Sequence, residues 1–168
     1  TEDFLHAMSV ANNNFDFSQF KNWYNQSGTP QLYADFSFSE KEKTLTLKLA
    51  QKTPSTPGQS EKLPFHFPIK MGLIAKNGQE LPLKLKDDRL QPQVMDGILH
   101  VRNEQESFVF ENISEEPLVS LNREFSAPIR LMANYSSEDL AFLMVNDKDE
   151  FNRFEAGQTY AMRIIEEL

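Results

Sequence analysis

The chain has 168 residues, no cysteine, and 25 acidic against 17 basic side chains, for a formal charge of -8. The missing cysteines exclude a disulfide framework, thiolate-bound metal and a thiol nucleophile. The negative charge argues against a nucleic-acid partner, and no apolar run approaches the roughly 20 residues of a membrane span. A 39% apolar fraction with 14 Phe is enough for a packed core in one domain-sized unit.

Residues 1–30 read as helical. Phe4, Leu5 and Val10 belong to a short amphipathic stretch that Asn12-Asn13-Asn14 breaks. A second helix is expected to start at Asp16, with Gln19 as the return partner of a capping box and Phe15 and Phe20 as a hydrophobic staple. Phe20, Trp23 and Tyr24 share one face at helical spacing, and Gly28 and Pro30 stop the helix.

Residues 31–135 switch to a period of two. Leu32, Ala34, Phe36 and Phe38 alternate with Tyr33, Asp35 and Ser37. Leu45, Leu47 and Leu49 alternate with Thr44, Thr46 and Lys48. Phe65, Phe67, Ile69, Met71 and Leu73 alternate with His66, Pro68, Lys70 and Gly72. Each pattern turns one face to a core and the other to water. Glu40-Lys41-Glu42 connects the first two strands. Asn77-Gly78 predicts a type I′ hairpin leading to residues 81–85. Leu99 and Val101 with Phe108 and Phe110 predict another hairpin around residues 103–106. Residues 118–121 and 128–133 supply the last strands, residues 53–62 and 86–96 the long loops, and Pro68 an edge or a bulge. The expected fold is mainly β, an immunoglobulin-like antiparallel β-sandwich flanked by short N- and C-terminal helices.

Residues 136–168 return to helix. Ser136 with Asp139, and Asp147 with Glu150, have capping-box spacing. Leu140, Leu143, Phe151 and Phe154 follow, and Ala161, Ile164, Ile165 and Leu168 extend the apolar stripe. From Ser137 onward eight acids face three bases, so five of the eight net charges sit here. The chain starts without Met and stops inside a helical pattern, so a piece of a longer protein is expected.

No catalytic constellation emerges. His6, His66 and His100 are the histidines, none is followed by Glu, and the last two are expected as ordinary surface or rim residues on strands. Asp147-Lys148-Asp149-Glu150 fails the calcium-loop template, because the sixth position is Asn152 rather than Gly and the twelfth is Gln158 rather than Glu. Helix capping explains those acids better. There is no Gly-x-Ser-x-Gly elbow and no Gly-rich phosphate loop. Phe20, Trp23, Tyr24, Phe151 and Phe154 are expected to pack in a core rather than to form a ligand platform.

Several stretches, taken in order, resemble the zinc aminopeptidase N family, in its bacterial alanyl aminopeptidase form. They are Trp23-Tyr24-Asn25-Gln26-Ser27-Gly28-Thr29-Pro30, Gln51-Lys52-Thr53-Pro54-Ser55-Thr56-Pro57-Gly58-Gln59 and Lys62-Leu63-Pro64-Phe65-His66-Phe67-Pro68. Ser107-Phe108-Val109-Phe110, Glu124-Phe125-Ser126-Ala127-Pro128, Phe142-Leu143-Met144 and Phe151-Asn152-Arg153-Phe154-Glu155-Ala156-Gly157-Gln158 follow. Phe154 departs from the family, where Trp is expected. The resemblance implies that residues 1–30 are the last helices of a thermolysin-like catalytic domain. Residues 31–135 would be the β-sandwich after it, and residues 136–168 the start of a C-terminal helical domain. It implies a cytoplasmic parent that binds zinc through two His and a Glu and removes N-terminal residues from peptides. Those ligands and the catalytic groups lie outside this chain, so no catalytic, cofactor-binding or metal-binding residue is assigned in it. Its partners would be the catalytic and C-terminal helical domains of the same chain, with no nucleic acid and no membrane span. The competing reading is a free-standing β-sandwich binding module for carbohydrate or protein, which predicts an exposed aromatic row on one sheet.

Overall fold

The computed structural model describes residues 1–87, 94–95 and 97–167. Helix α1 (Glu2–Ala11) leads into a 3-10 turn (Gln19–Lys21) and the single-turn α2 (Asn22–Asn25). Nine strands follow among the described residues: β1 (Gln31–Ser39), β2 (Thr44–Lys52), β3 (Phe67–Ile74), β4 (Glu80–Leu81), β5 (Val94–Met95), β6 (Ile98–Val101), β7 (Gln105–Glu111), β8 (Leu118–Leu121) and β9 (Arg130–Ala133). Helices α3 (Ser137–Asn146) and α4 (Glu150–Glu166) close the chain.

The strands form two packed sheets. One has the order β7-β2-β1-β9. In the other, β3 pairs with β6 along residues 67–70 and with β8 along residues 71–74, and also carries β4, while β5 pairs with β6. All pairs are antiparallel except β1–β9, which is parallel with Gln31 opposite Arg130. The expected immunoglobulin-like sandwich is therefore present, with one parallel pair.

The alternation read from the sequence is the alternation of burial. Leu32, Ala34, Leu45, Leu47, Leu49, Phe108 and Phe110 from one sheet meet Phe67, Ile69, Met71, Leu73, Leu99, Val101, Val119 and Leu121 from the other. Burying each such side chain contributes about 1.5–3 kcal/mol. The end of β3 breaks the rule, because Gly72 and Ile74 are also buried. Their outer face is covered by Arg123 and by α3 and α4, which pack Leu140, Leu143 and Ala156 on Ile74.

The turns differ in detail from the sequence expectation. At Asn77-Gly78 only Gly78 has positive φ, 81°; Gly78 N donates to Ala75 O and Ala75 N to Gln79 O. This is a type I turn closed by a left-handed Gly rather than a type I′ turn. Residues 103–106 do not close a hairpin. β6 and β7 lie in different sheets, so this connection crosses the sandwich, and the Glu106 carboxylate accepts from Arg102 N and Asn103 N to shape it. Beyond β4 the chain also crosses to the other sheet, where Leu85 bridges Phe110. The loop expected over residues 86–96 lies largely outside the described residues. At the Pro68 end β3 pairs only with β6 among the described residues, which matches the edge reading.

Candidate functional site

Two built junctions stand out, one at each end of the sandwich. The first seats the N-terminal segment on residues 63–66, a stretch outside the strand ladders. Its four successive carbonyls are each met by a side-chain donor. Gln26 Nε2 donates to Leu63 O (3.0 Å), Asn22 Nδ2 to Pro64 O (2.9 Å), Gln51 Nε2 to Phe65 O (2.9 Å) and Trp23 Nε1 to His66 O (2.9 Å). Gln19 Nε2 donates to Pro64 O and Arg102 O. The Trp23 ring lies over Phe65 and Phe67, with centroids 4.4 and 6.4 Å apart. A buried carbonyl without a partner would cost about 1–3 kcal/mol, which explains the amide side chains at 19, 22 and 51; the Gln26 contact is exposed.

The loop of residues 53–62 is fastened to the same segment. Lys62 Nζ donates to Ser27 O (2.9 Å), Thr56 Oγ1 (2.7 Å) and Gln59 Oε1 (2.8 Å), and Ser27 N donates to Gln59 Oε1. Gly28 turns away from this cluster with φ 98°.

The expected capping box at Asp16 does not form. Asp16 Oδ1 accepts from Ser18 N, which holds its carboxyl below the usual range, while Gln19 is committed to the sandwich. Phe15 packs on Phe17 rather than stapling to Phe20, and covers both His66 and His100. His66 is accordingly not a surface residue, whereas His100 is half-buried at the rim and His6 is exposed. His66 is 5% exposed, and its Nε2 lies 3.0 Å from His100 Nδ1. Burial, then the Arg102 cation and His100, push His66 down to about 4; burial and Arg102 also lower His100.

The second junction joins the sandwich to α3 and α4. Arg123 is buried on the outer face of β3. Its Nη1 lies 2.6 Å from Glu80 Oε1, its Nε donates to Ser120 Oγ (2.9 Å), and its Nη2 pairs with Asp147 Oδ1 at 2.9 Å without hydrogen-bond alignment. Ser120 Oγ donates to Asp147 Oδ2, and Asn152 Nδ2 donates to Ser120 Oγ (2.8 Å) and Leu121 O (2.9 Å). Gly72 makes room: a Cβ there would fall 2.2 Å from Arg123 Cζ.

The turn that delivers Arg123 is strained. Asn122, Glu124 and Phe125 all have left-handed φ, at 60°, 57° and 50°. Each such residue costs on the order of 1–3 kcal/mol and persists because its surroundings hold it. Asn122 Oδ1 accepts from Ala127 N (2.9 Å), and Asp149 Oδ2 accepts from Glu124 N (3.0 Å). Lys70 pairs with Glu124, and Phe125 packs on Phe151 with centroids 5.3 Å apart.

The acids of residues 147–150 thus have separate tasks. Asp149, not Asp147, caps α4 by accepting from Asn152 N (2.8 Å). Asp147 ends α3 and is the buried partner of Arg123. The Ser136–Asp139 capping box is present in both directions, at 3.0 and 2.8 Å. Tyr135 beside it donates to Val119 O (2.8 Å); burial, then Asp147 and Asp139, raise its phenol well above the ordinary range. Of the aromatics expected to pack, Phe20, Trp23 and Phe151 are half-buried against other rings, whereas Tyr24 and Phe154 are more than half exposed.

Among the described residues no group of three or more His, Asp or Glu side chains converges on one point, and the two close imidazoles face each other. What the two junctions can do is fix the direction in which segments leave the sandwich.

The chain belongs to the family described as Domain of unknown function (DUF3458), Ig-like fold, whose model matches residues 28–134. The companion DUF3458_C model, described as ARM repeats, matches residues 137–168. Its relatives are aminopeptidases. It is 35% identical over 158 residues to Aminopeptidase N of Escherichia coli (strain K12), covering 94% of this chain and 18% of that protein. It is 37% identical over 157 residues to Aminopeptidase N of Haemophilus influenzae, covering 94% of this chain and 17% of that one. The crystal structure of Legionella pneumophila aminopeptidase A in complex with aspartic acid matches with TM-score 0.79 and 31% identity, over 99% of this chain and 17% of that one. The chain thus corresponds to part of an aminopeptidase N-type protein and spans under a fifth of its relatives' length.

Proposed function

We propose that this chain is the noncatalytic structural spacer of a zinc-dependent aminopeptidase that removes N-terminal residues from peptides. The observation that carries the reading is the alignment with aminopeptidases along 94% of the chain, across both junctions. Residues 1–30 are then the last helices of the catalytic domain, residues 31–135 the sandwich, and residues 136–168 the start of the helical domain. Zinc and the groups that act on the substrate belong to the catalytic domain. In this reading the parent is cytoplasmic.

In this role the sandwich acts by geometry. Hydrogen bonds from Trp23 and Asn22 side chains to backbone carbonyls hold one neighbour, and the Arg123–Asp147 pair holds the other. The helical part is thereby held at a set angle to the catalytic part, where it can restrict access to peptide ends. Assaying the purified 168-residue chain with an alanyl anilide and added zinc tests the assignment. No turnover is expected, and turnover that scales with chain concentration and is abolished by a chelator would refute it.

A further inference from the structure

The His66–His100 contact lies between two paired neighbours of one sheet, beneath an N-terminal segment that need not stay with them. His66 immediately precedes β3 and His100 lies on β6, and Phe15 of the N-terminal segment roofs both, with centroids 5.9 and 6.0 Å away. We propose that this pair makes the seat of the N-terminal segment acid-labile, so that protonation releases residues 12–26 while the two sheets stay folded.

The geometry is what makes a proton costly here. Nε2 of one ring faces Nδ1 of the other at 3.0 Å, an arrangement in which one ring donates and the other accepts. A first added proton must be held beneath Phe15 beside Arg102, whose guanidinium sits 5.5 Å from the same Phe15 ring. A second turns both facing nitrogens into donors. The surrounding charges do not compensate. From the N-terminal segment Asp16 opposes the cation, but its Oδ1 accepts from Ser18 N. From the crossing connection comes Arg102, itself a cation, and from the start of β7 Glu106, whose carboxylate is held by Arg102 N and Asn103 N. From β3 the nearest charge along the strand is Lys70, paired with Glu124.

The direction in pH follows. His66 binds its proton less readily in the seated state, down to about 4 from 6.5, so protons favour release. The seat is at full strength above about 6.5 and is lost as pH falls toward about 4. Release lifts Phe15, Phe17 and Phe20 away from His66, Pro68 and His100, with which they line one cavity. This inference does not depend on which domain residues 1–30 belong to.

Trp23 is the only tryptophan, and its Nε1 donates to the carbonyl of His66 itself. Its emission therefore reports the seat, while far-UV dichroism reports the sheets. In the 168-residue chain a red shift of emission is expected with a midpoint between about 4 and 6.5, ahead of any loss of the sheet signal. In the His66→Gln/His100→Gln variant that separate transition should vanish. If the double variant is unfolded at neutral pH, His100→Gln alone serves, and its transition should move to lower pH. Coincident loss of both signals in the unaltered chain would overturn the proposal, as would a transition that persists unshifted in the variants.

Discussion

Replacing Arg123 with Met removes a buried charge while keeping an unbranched side chain of similar reach. The Asp147 side chain is fully buried and Arg123 is 8% exposed, so neither is well screened by water. Removing one member of such a pair typically costs about 3–5 kcal/mol, because the other charge stays buried without its partner. Asp147 keeps two donors, Ser120 Oγ and Asp149 N, which places the expected loss near the lower end, about 3 kcal/mol. Glu80 is partly exposed and can turn to solvent, so it adds little. The assay is urea unfolding followed by the helical far-UV band and, at the opposite junction, by Trp23 emission. A double-mutant cycle with Asp147→Leu isolates the pair. The two losses should fail to add, with a coupling of about 2 kcal/mol. A loss under about 1 kcal/mol for Arg123→Met, the value of an exposed pair, or strict additivity in the cycle, would refute the clamp.

Other substitutions probe neighbouring parts of the account. Gly72→Ala drives a methyl into the Arg123 guanidinium, and by displacing it should cost about 1–3 kcal/mol in the same urea titration. Ser136→Ala removes one arm of the capping box and should cost about 1 kcal/mol, read as a lowered thermal midpoint of the helical signal. Trp23→Phe keeps a ring over Phe65 but leaves His66 O without its donor, and should cost about 1–2 kcal/mol by chemical denaturation.

How far the sequence carried the fold depended on the range of the interactions involved. Leu45, Leu47 and Leu49 could be placed because a period-two pattern needs no knowledge of its partner. The Ser136 box was readable because all its atoms lie within one turn. The hairpin expected at residues 103–106 failed because nearness in sequence does not say which sheet a strand joins. His66 and His100 do face outward from their strands, but a segment about 50 residues before His66 folds back over them. Arg123 looked like any charged turn residue. One available signal went unused: Gly72, within an otherwise apolar strand, marked a close approach of another group. The Asp16 box had the right spacing, but Gln19 gains more from two carbonyls of the sandwich than from a helix only one turn long.

The measurement that tests the central claim most directly is the mass of the native protein that carries these residues. Source-cell lysate would be separated by size, and tryptic peptides of this chain located by mass spectrometry. The account predicts that they lie in a band several times larger than the 19.4 kDa of this chain, together with a His-Glu-x-x-His peptide and bound zinc. Finding them only in a band of the chain's own size, with no such peptide, would contradict it.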